Sequence, residues 1–124
     1  MSTSLYDQLE GSSFFERLVD AFYVEVESNE LLRAMYSEDL VESKRHLTLF
    51  LVQYWGGPPT YMLDRGHPRL RLRHARFRIT KEARDAWMKA MDAALVSLRD
   101  ELTDAQFEEL HAYFDMAATQ MRNV

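Results

Sequence analysis

The chain is cut near its middle by Gly56-Gly57-Pro58-Pro59, a run that no helix continues through, because proline lacks an N–H and its ring collides with the preceding turn. Whatever precedes this break must end there. A second start signal follows at Gly66-His67-Pro68, where proline suits the first position of a helix. Beyond Pro68 two periods compete. Leu70, Leu72 and His74 alternate with Arg69, Arg71 and Arg73, the pattern of a half-buried strand; Leu70, His74 and Phe77 also fall at i, i+4 and i+7, one face of a helix. Pro68 and the lack of a strand partner nearby favour the short helix, on which one histidine stands between two apolar residues.

The flanking sequence is helical throughout. A short segment from Leu5 to Leu9 precedes Ser13-Phe14-Phe15-Glu16, the pattern of a capping box, which predicts a helix to about Glu27 with Phe15, Leu18, Phe22 and Val26 as its core stripe and Val19 and Tyr23 at its edge. Ser28 or Asn29 caps a brief helix ending near Tyr36. From Leu40 to Trp55 a further helix aligns Ser43, Leu47, Phe50 and Tyr54 on one face. Thr80 opens a long helix to about Asp100 with Trp87, Met91, Ala94 and Leu98 inward. Thr103-x-x-Gln106 opens the last, with Phe107, Leu110, Phe114, Ala117 and Met121 on its face. The fold class is all-α, two long antiparallel helix pairs with their apolar faces crossed.

A chain of 124 residues forms one domain, residues 1–124. It has no cysteine, so neither disulfides nor thiolate ligands enter, and the expected compartment is cytoplasmic. Neither a signal peptide nor an apolar run of the ~20 residues that a membrane span needs is present, so no membrane association is expected. The net charge of −5 speaks against nucleic acid, although the arginines from Arg65 to Arg84 make one region locally basic.

None of the four histidines lies at the i, i+3 or i, i+4 spacing of zinc or di-iron sites. Haem needs only one axial imidazole, and a lone inward histidine can supply it. Taken alone, His74 reads first as a core histidine satisfied by a carbonyl. Tyr23, Tyr36 and Trp87 fit core aromatics, but each carries a donor that needs a partner when buried. His111 suits a surface position, His67 a local cap, and His46 a solvated flank.

The string YWGGP at 54–58, Thr60-Tyr61, RGHPRLRLRH at 65–74 and Phe77-Arg78-Ile79 closely resemble the group II, O-type, truncated haemoglobins. With Leu5-Tyr6-Asp7, Phe22-Tyr23, Tyr36 and Ala86-Trp87, the resemblance covers nearly the whole chain. It implies a globin-like two-over-two helical sandwich holding haem b, with His74 as the iron ligand. Tyr23, Tyr36 and Trp87 would then lie on the ligand side as hydrogen-bond donors, Ser43 as a small gate, and Leu47 as a limit on the room there. Leu70, Phe77, Ile79 and Met91 would close the opposite face, with Phe50, Tyr61 and His67 as further cofactor contacts. Arg73 and His46 would pair with propionates; the family usually has arginine where His46 stands, which makes that pair pH-dependent. Two further departures are Glu10-Gly11 in place of a Gly-Gly pair, and a corner after Tyr36 one residue shorter than usual.

On this resemblance the protein takes oxygen and other diatomic or small anionic ligands. A strongly donating site suits nitric oxide or peroxide chemistry, supported by an unidentified reductase, better than oxygen delivery. Reversible oxygen storage and a haem-free helical interaction or sensor module are the rival readings, and a homodimer is left open.

Overall fold

The computed structural model describes residues 3–36, 38–69 and 78–124. Its helices are α1 (Leu5–Gln8), α2 (Ser12–Glu27), α3 (Glu30–Arg33), α4 (Val41–Tyr54), α5 (Thr60–Arg65), α6 (Lys81–Ser97) and α7 (Asp104–Met121), with a 3-10 turn at Arg99–Glu101. No strand occurs among the described residues, and no helix among them is long and apolar enough to cross a membrane.

The stripe on α2 does what its spacing requires: Phe15, Leu18, Phe22 and Val26 are completely buried. Removing one such aromatic, as in Phe22→Ala, costs about 3–5 kcal/mol, because lost transfer energy and an unfilled cavity add. The helix packs on one side against α4 and on the other against α6, and α6 packs in turn against α7. Two helix pairs, α2 with α4 and α6 with α7, are thereby stacked on a shared core. Arg84 ties the second pair together, bonding Asp115 and donating from Nε to the Thr119 hydroxyl at 3.2 Å.

Helix starts follow local chemistry. Thr80 caps α6 by accepting from the Ala83 N–H at 3.1 Å. Thr103 and Gln106 form the reciprocal box at the head of α7. Of the two candidates for α3, Asn29 is the cap, accepting from Leu32 at 3.1 Å. The start of α2 departs from expectation. Ser13 and Glu16 form no box; the helix begins at Ser12 behind Gly11 without a side-chain cap, and the Ser13 hydroxyl accepts from Arg17 instead. The cause lies upstream, where Glu10 and Gly11 both adopt positive φ, 66° and 74°, and turn the chain sharply into the helix.

Other boundaries also shift. α3 stops at Arg33, with turns carrying the chain to Tyr36; α4 starts at Val41; α6 stops at Ser97. The Gly56–Pro59 break does end α4, but a new helix, α5, starts immediately at Thr60. The break also receives the amino-terminal segment. The Tyr6 N–H donates to the Trp55 carbonyl at 3.0 Å, and a Cβ on Gly56 would come within 2.5 Å of the Ser4 Cβ. At the far side of the fold Asn123 clasps Ile79: its Oδ1 accepts from the Ile79 N–H at 2.9 Å, and its own N–H donates to the Ile79 carbonyl at 3.0 Å.

Candidate functional site

Four polar side chains singled out in the sequence meet in one place. Tyr23 comes from α2, Tyr36 from the corner after α3, Ser43 from the first turns of α4 and Trp87 from α6. The Tyr23 and Tyr36 rings stand edge to face at 5.5 Å, and the Phe22 ring, 5.1 Å from both Tyr23 and Trp87, forms the floor beneath them.

Hydrogen bonds join them. Burial pushes the Tyr23 phenol up; Tyr36 adds to this through its charge and through a hydrogen bond, while a bond with Ser43 opposes the rise. Burial likewise raises Tyr36, against its bonds with Trp87 and Tyr23. An indole N–H can only donate. Trp87 therefore faces the Tyr36 hydroxyl as a donor, Ser43 and Tyr36 both bear on the Tyr23 phenol, and the Tyr36 proton can be offered to a further acceptor.

Beside this cluster lies a row of apolar side chains that the protein covers only in part. Leu47 and Phe50 on α4, with Tyr36 and Trp87, are half-buried against the core. Tyr61, Ile79 and Met91 are buried, and the Tyr61 ring meets Phe50 edge to face at 5.7 Å. An apolar face next to a spare O–H suits a flat, largely apolar ring that carries a small polar ligand at its centre. The residues fit the haem that the sequence resemblance implies.

The remaining candidates are distributed as follows. His46 is half-buried on α4, with Nε2 3.5 Å from a Glu42 carboxylate oxygen one turn earlier. His67 is exposed, and its Nδ1 accepts from the Arg69 N–H at 3.0 Å, the local capping role that its neighbours suggest. Leu70, Arg73, His74 and Phe77 lie outside the described residues. His111 is not simply a surface residue: its Nδ1 is 2.8 Å from an Asp92 oxygen, joining α7 to α6. Sequence reasoning missed a second aromatic group, Tyr54, Trp55 and Tyr113, in which Tyr54 and Tyr113 stack at 4.2 Å. Tyr54 stood on the expected α4 face, but no periodicity linked it to a residue on α7.

Comparison with known proteins agrees with this geometry. A model of the bacterial-like globin family matches residues 4–122. The chain is 43% identical over 102 residues to the group 2 truncated hemoglobin YjbI of Bacillus subtilis, spanning 81% of this chain and 77% of that protein. Its structure resembles the hemoglobin of the thermophilic phototrophic bacterium Chloroflexus aurantiacus, with a TM-score of 0.94 and 43% identity over 99% of this chain and 100% of the other. It also resembles the truncated oxygen-avid haemoglobin of Bacillus subtilis, with a TM-score of 0.90 and 38% identity over 98% and 100% of the two chains.

Proposed function

Because the chain belongs to the bacterial-like globins, as a two-over-two group II truncated haemoglobin that binds haem iron and diatomic ligands such as oxygen, we propose that it retains oxygen and uses it in redox chemistry. The targets are nitric oxide and peroxide. The observation that supports this reading is the gathering of Tyr23, Tyr36, Ser43 and Trp87 at one place, where the Trp87 indole can only donate to Tyr36 and the Tyr36 proton can be given to a ligand.

Haem, when bound, supplies an iron centre that takes the ligand and exchanges electrons with it. His74 is the residue assigned to hold the iron. Haem b suits a chain without cysteine, since thioether attachment needs a Cys-x-x-Cys-His run. Tyr36 donates to the ligand directly. Trp87 and Tyr23 fix the Tyr36 oxygen and thereby aim its proton, and Ser43 holds Tyr23. Leu47 and Phe50 would border the ring and keep water from the donor, and Ile79, Met91, Leu70 and Phe77 are the residues assigned to its other face. Arg73 and His46 face the propionates in this assignment.

Energy decides between retention and delivery. A hydrogen bond to a charged or strongly polarised acceptor contributes ~1.5–3 kcal/mol, and each 1.4 kcal/mol is about tenfold in an equilibrium constant. A preorganised Tyr36 donor therefore slows oxygen release by roughly ten- to a hundredfold, which suits chemistry on the ligand rather than shuttling. The solved relative described as oxygen-avid supports the same reading. Sustained turnover calls for a reductase that returns the iron to the ferrous state, and the reading takes the cytoplasm as the compartment that supplies it.

The test is reconstitution with haemin followed by stopped-flow oxygen dissociation. A sharp Soret band that is lost or strongly altered in His74→Gly, together with slow oxygen release, is the expected result. Release on a millisecond scale favours reversible storage instead, and a protein that stays colourless with haemin overturns the haem assignment.

A further inference from the structure

The second aromatic group is separated from the candidate site by a short path of rings. Trp87, which donates to Tyr36, stands 6.0 Å from the Phe114 ring. Phe114 is 5.4 Å from Tyr113, and Tyr113 is stacked on Tyr54 at 4.2 Å with the planes 33° apart. Tyr54 belongs to α4 and Tyr113 to α7, so the pair links two helices that lie far apart in the chain. Tyr54 is 49% exposed. The rings thus lead from the candidate site past buried Phe114 to a phenol that water reaches.

We propose that Tyr54 and Tyr113 are an oxidative cross-linking site, joined as dityrosine when hydrogen peroxide is reduced at the haem site. The proposal rests on the peroxide branch of the function argued above. Indole and phenol side chains are the groups of this cysteine-free chain that give up single electrons, whereas its seven methionines take up oxygen atoms instead. Trp87 is the entry, the Phe114 ring fills the gap that the electron crosses without being oxidised itself, and the paired phenols are where the path ends.

The step balances without another reagent. Each phenol gives up one electron and one proton to become a neutral radical. The two electrons and two protons convert one hydrogen peroxide to two water molecules, through which the O–O bond is broken. The radicals couple through ring carbons ortho to oxygen, one C–C bond forms, and the two ortho hydrogens move to the phenol oxygens as the rings regain aromaticity. Tyr113, whose phenol burial and then Tyr54 hold up, enters the reaction protonated.

Two other tyrosines could compete. Tyr23 and Tyr36 are nearer the site, but their rings are 5.5 Å apart and meet edge to face at 76°, whereas Tyr54 and Tyr113 are 4.2 Å apart and tilted by 33°. Closer and more nearly parallel rings bring ortho carbons together with less rotation. Joining α4 to α7 would also tie together two helices that lie far apart in the chain. Oxidation would then stiffen the protein where an unpaired radical would otherwise damage it.

The experiment treats the haem-reconstituted full chain with hydrogen peroxide and follows peroxide consumption, dityrosine fluorescence, intact mass and peptide maps. The expected result is loss of two hydrogen atoms from a monomer and one cross-linked peptide pair containing Tyr54 and Tyr113. Tyr54→Phe and Tyr113→Phe each abolish that peptide while leaving the haem absorption spectrum and oxygen binding unchanged, and Trp87→Phe lowers its yield severalfold. Peroxide consumed without this cross-link, a cross-link at Tyr23 and Tyr36 in its place, or a covalent dimer overturns the proposal and leaves the peroxide reading standing. A haem protein that consumes no peroxide overturns both.

Discussion

Trp87 and Tyr23 both bear on the Tyr36 hydroxyl, with the Tyr23 ring edge to face against the Tyr36 ring at 5.5 Å. Two neighbours at one phenol limit the directions in which its proton can point. A Tyr36→Phe protein keeps the ring but loses the donor, and its oxygen release is expected to be roughly ten- to a hundredfold faster. Stopped-flow dissociation measures this directly.

Trp87→Phe and Tyr23→Phe act on Tyr36 as well as on the ligand, so their effects should not add. In a double-mutant cycle the Tyr36→Phe background should remove much of the effect of Trp87→Phe, with a coupling of about 1 kcal/mol. Full additivity in oxygen release rates would show that Trp87 works independently of Tyr36.

Asn123 holds both backbone groups of Ile79, immediately downstream of the segment that carries His74. Asn123→Ala leaves the nearly buried Ile79 N–H without that acceptor, at a cost of about 1–3 kcal/mol. Haem transfer to an excess of apomyoglobin should become severalfold faster, while α2 to α4 remain as stable to proteolysis as before.

Alkaline stability follows from three phenols. Tyr23, Tyr36 and Tyr113 are all raised in the folded protein, chiefly by burial. Below about pH 10, the ordinary tyrosine value, folded and unfolded chains alike keep these protons and the contribution to stability is complete. Above it the unfolded chain releases them first, so stability falls with rising pH. An absorbance titration should find three of the six tyrosines silent until the protein unfolds.

Glu10 sits at φ 66°, in the left-handed region where a side chain costs roughly 1–2 kcal/mol. Glu10→Gly should raise the urea midpoint by an amount corresponding to about 1 kcal/mol, with no change in slope. Gly56→Ala should do the opposite and more strongly, because the added methyl meets Ser4 at a position with φ 105°.

The parts of this fold visible in the sequence are those fixed by nearby residues. Thr80, and Thr103 with Gln106, cap as their spacing predicts, and the Phe15, Leu18, Phe22, Val26 stripe is buried. The start of α2 escaped because backbone conformation at Glu10 and Gly11, rather than a side-chain cap, sets it. On α4, periodicity selected Ser43, Leu47 and Phe50, yet Leu51 and Val52 are the buried residues. That helix has two apolar faces, one fully buried and one half-buried. Periodicity found the half-buried one and missed the other. α5 was hidden because two prolines before Thr60 suggest a loop, although Pro59 stands as its N-cap. The convergence of Tyr23, Tyr36, Ser43 and Trp87 came from four separate elements, and only the resemblance to a family brought them together in advance. The Tyr54–Tyr113 stack had no signal of either kind.

The clasp on Ile79 also imposes an order on assembly. Asn123 lies 44 residues beyond the residue that it holds. A ribosome making this chain therefore exposes the histidine segment well before the downstream anchor of that segment has been synthesised. Haem arriving early meets a cradle open at one end, and a late arrival meets one already latched.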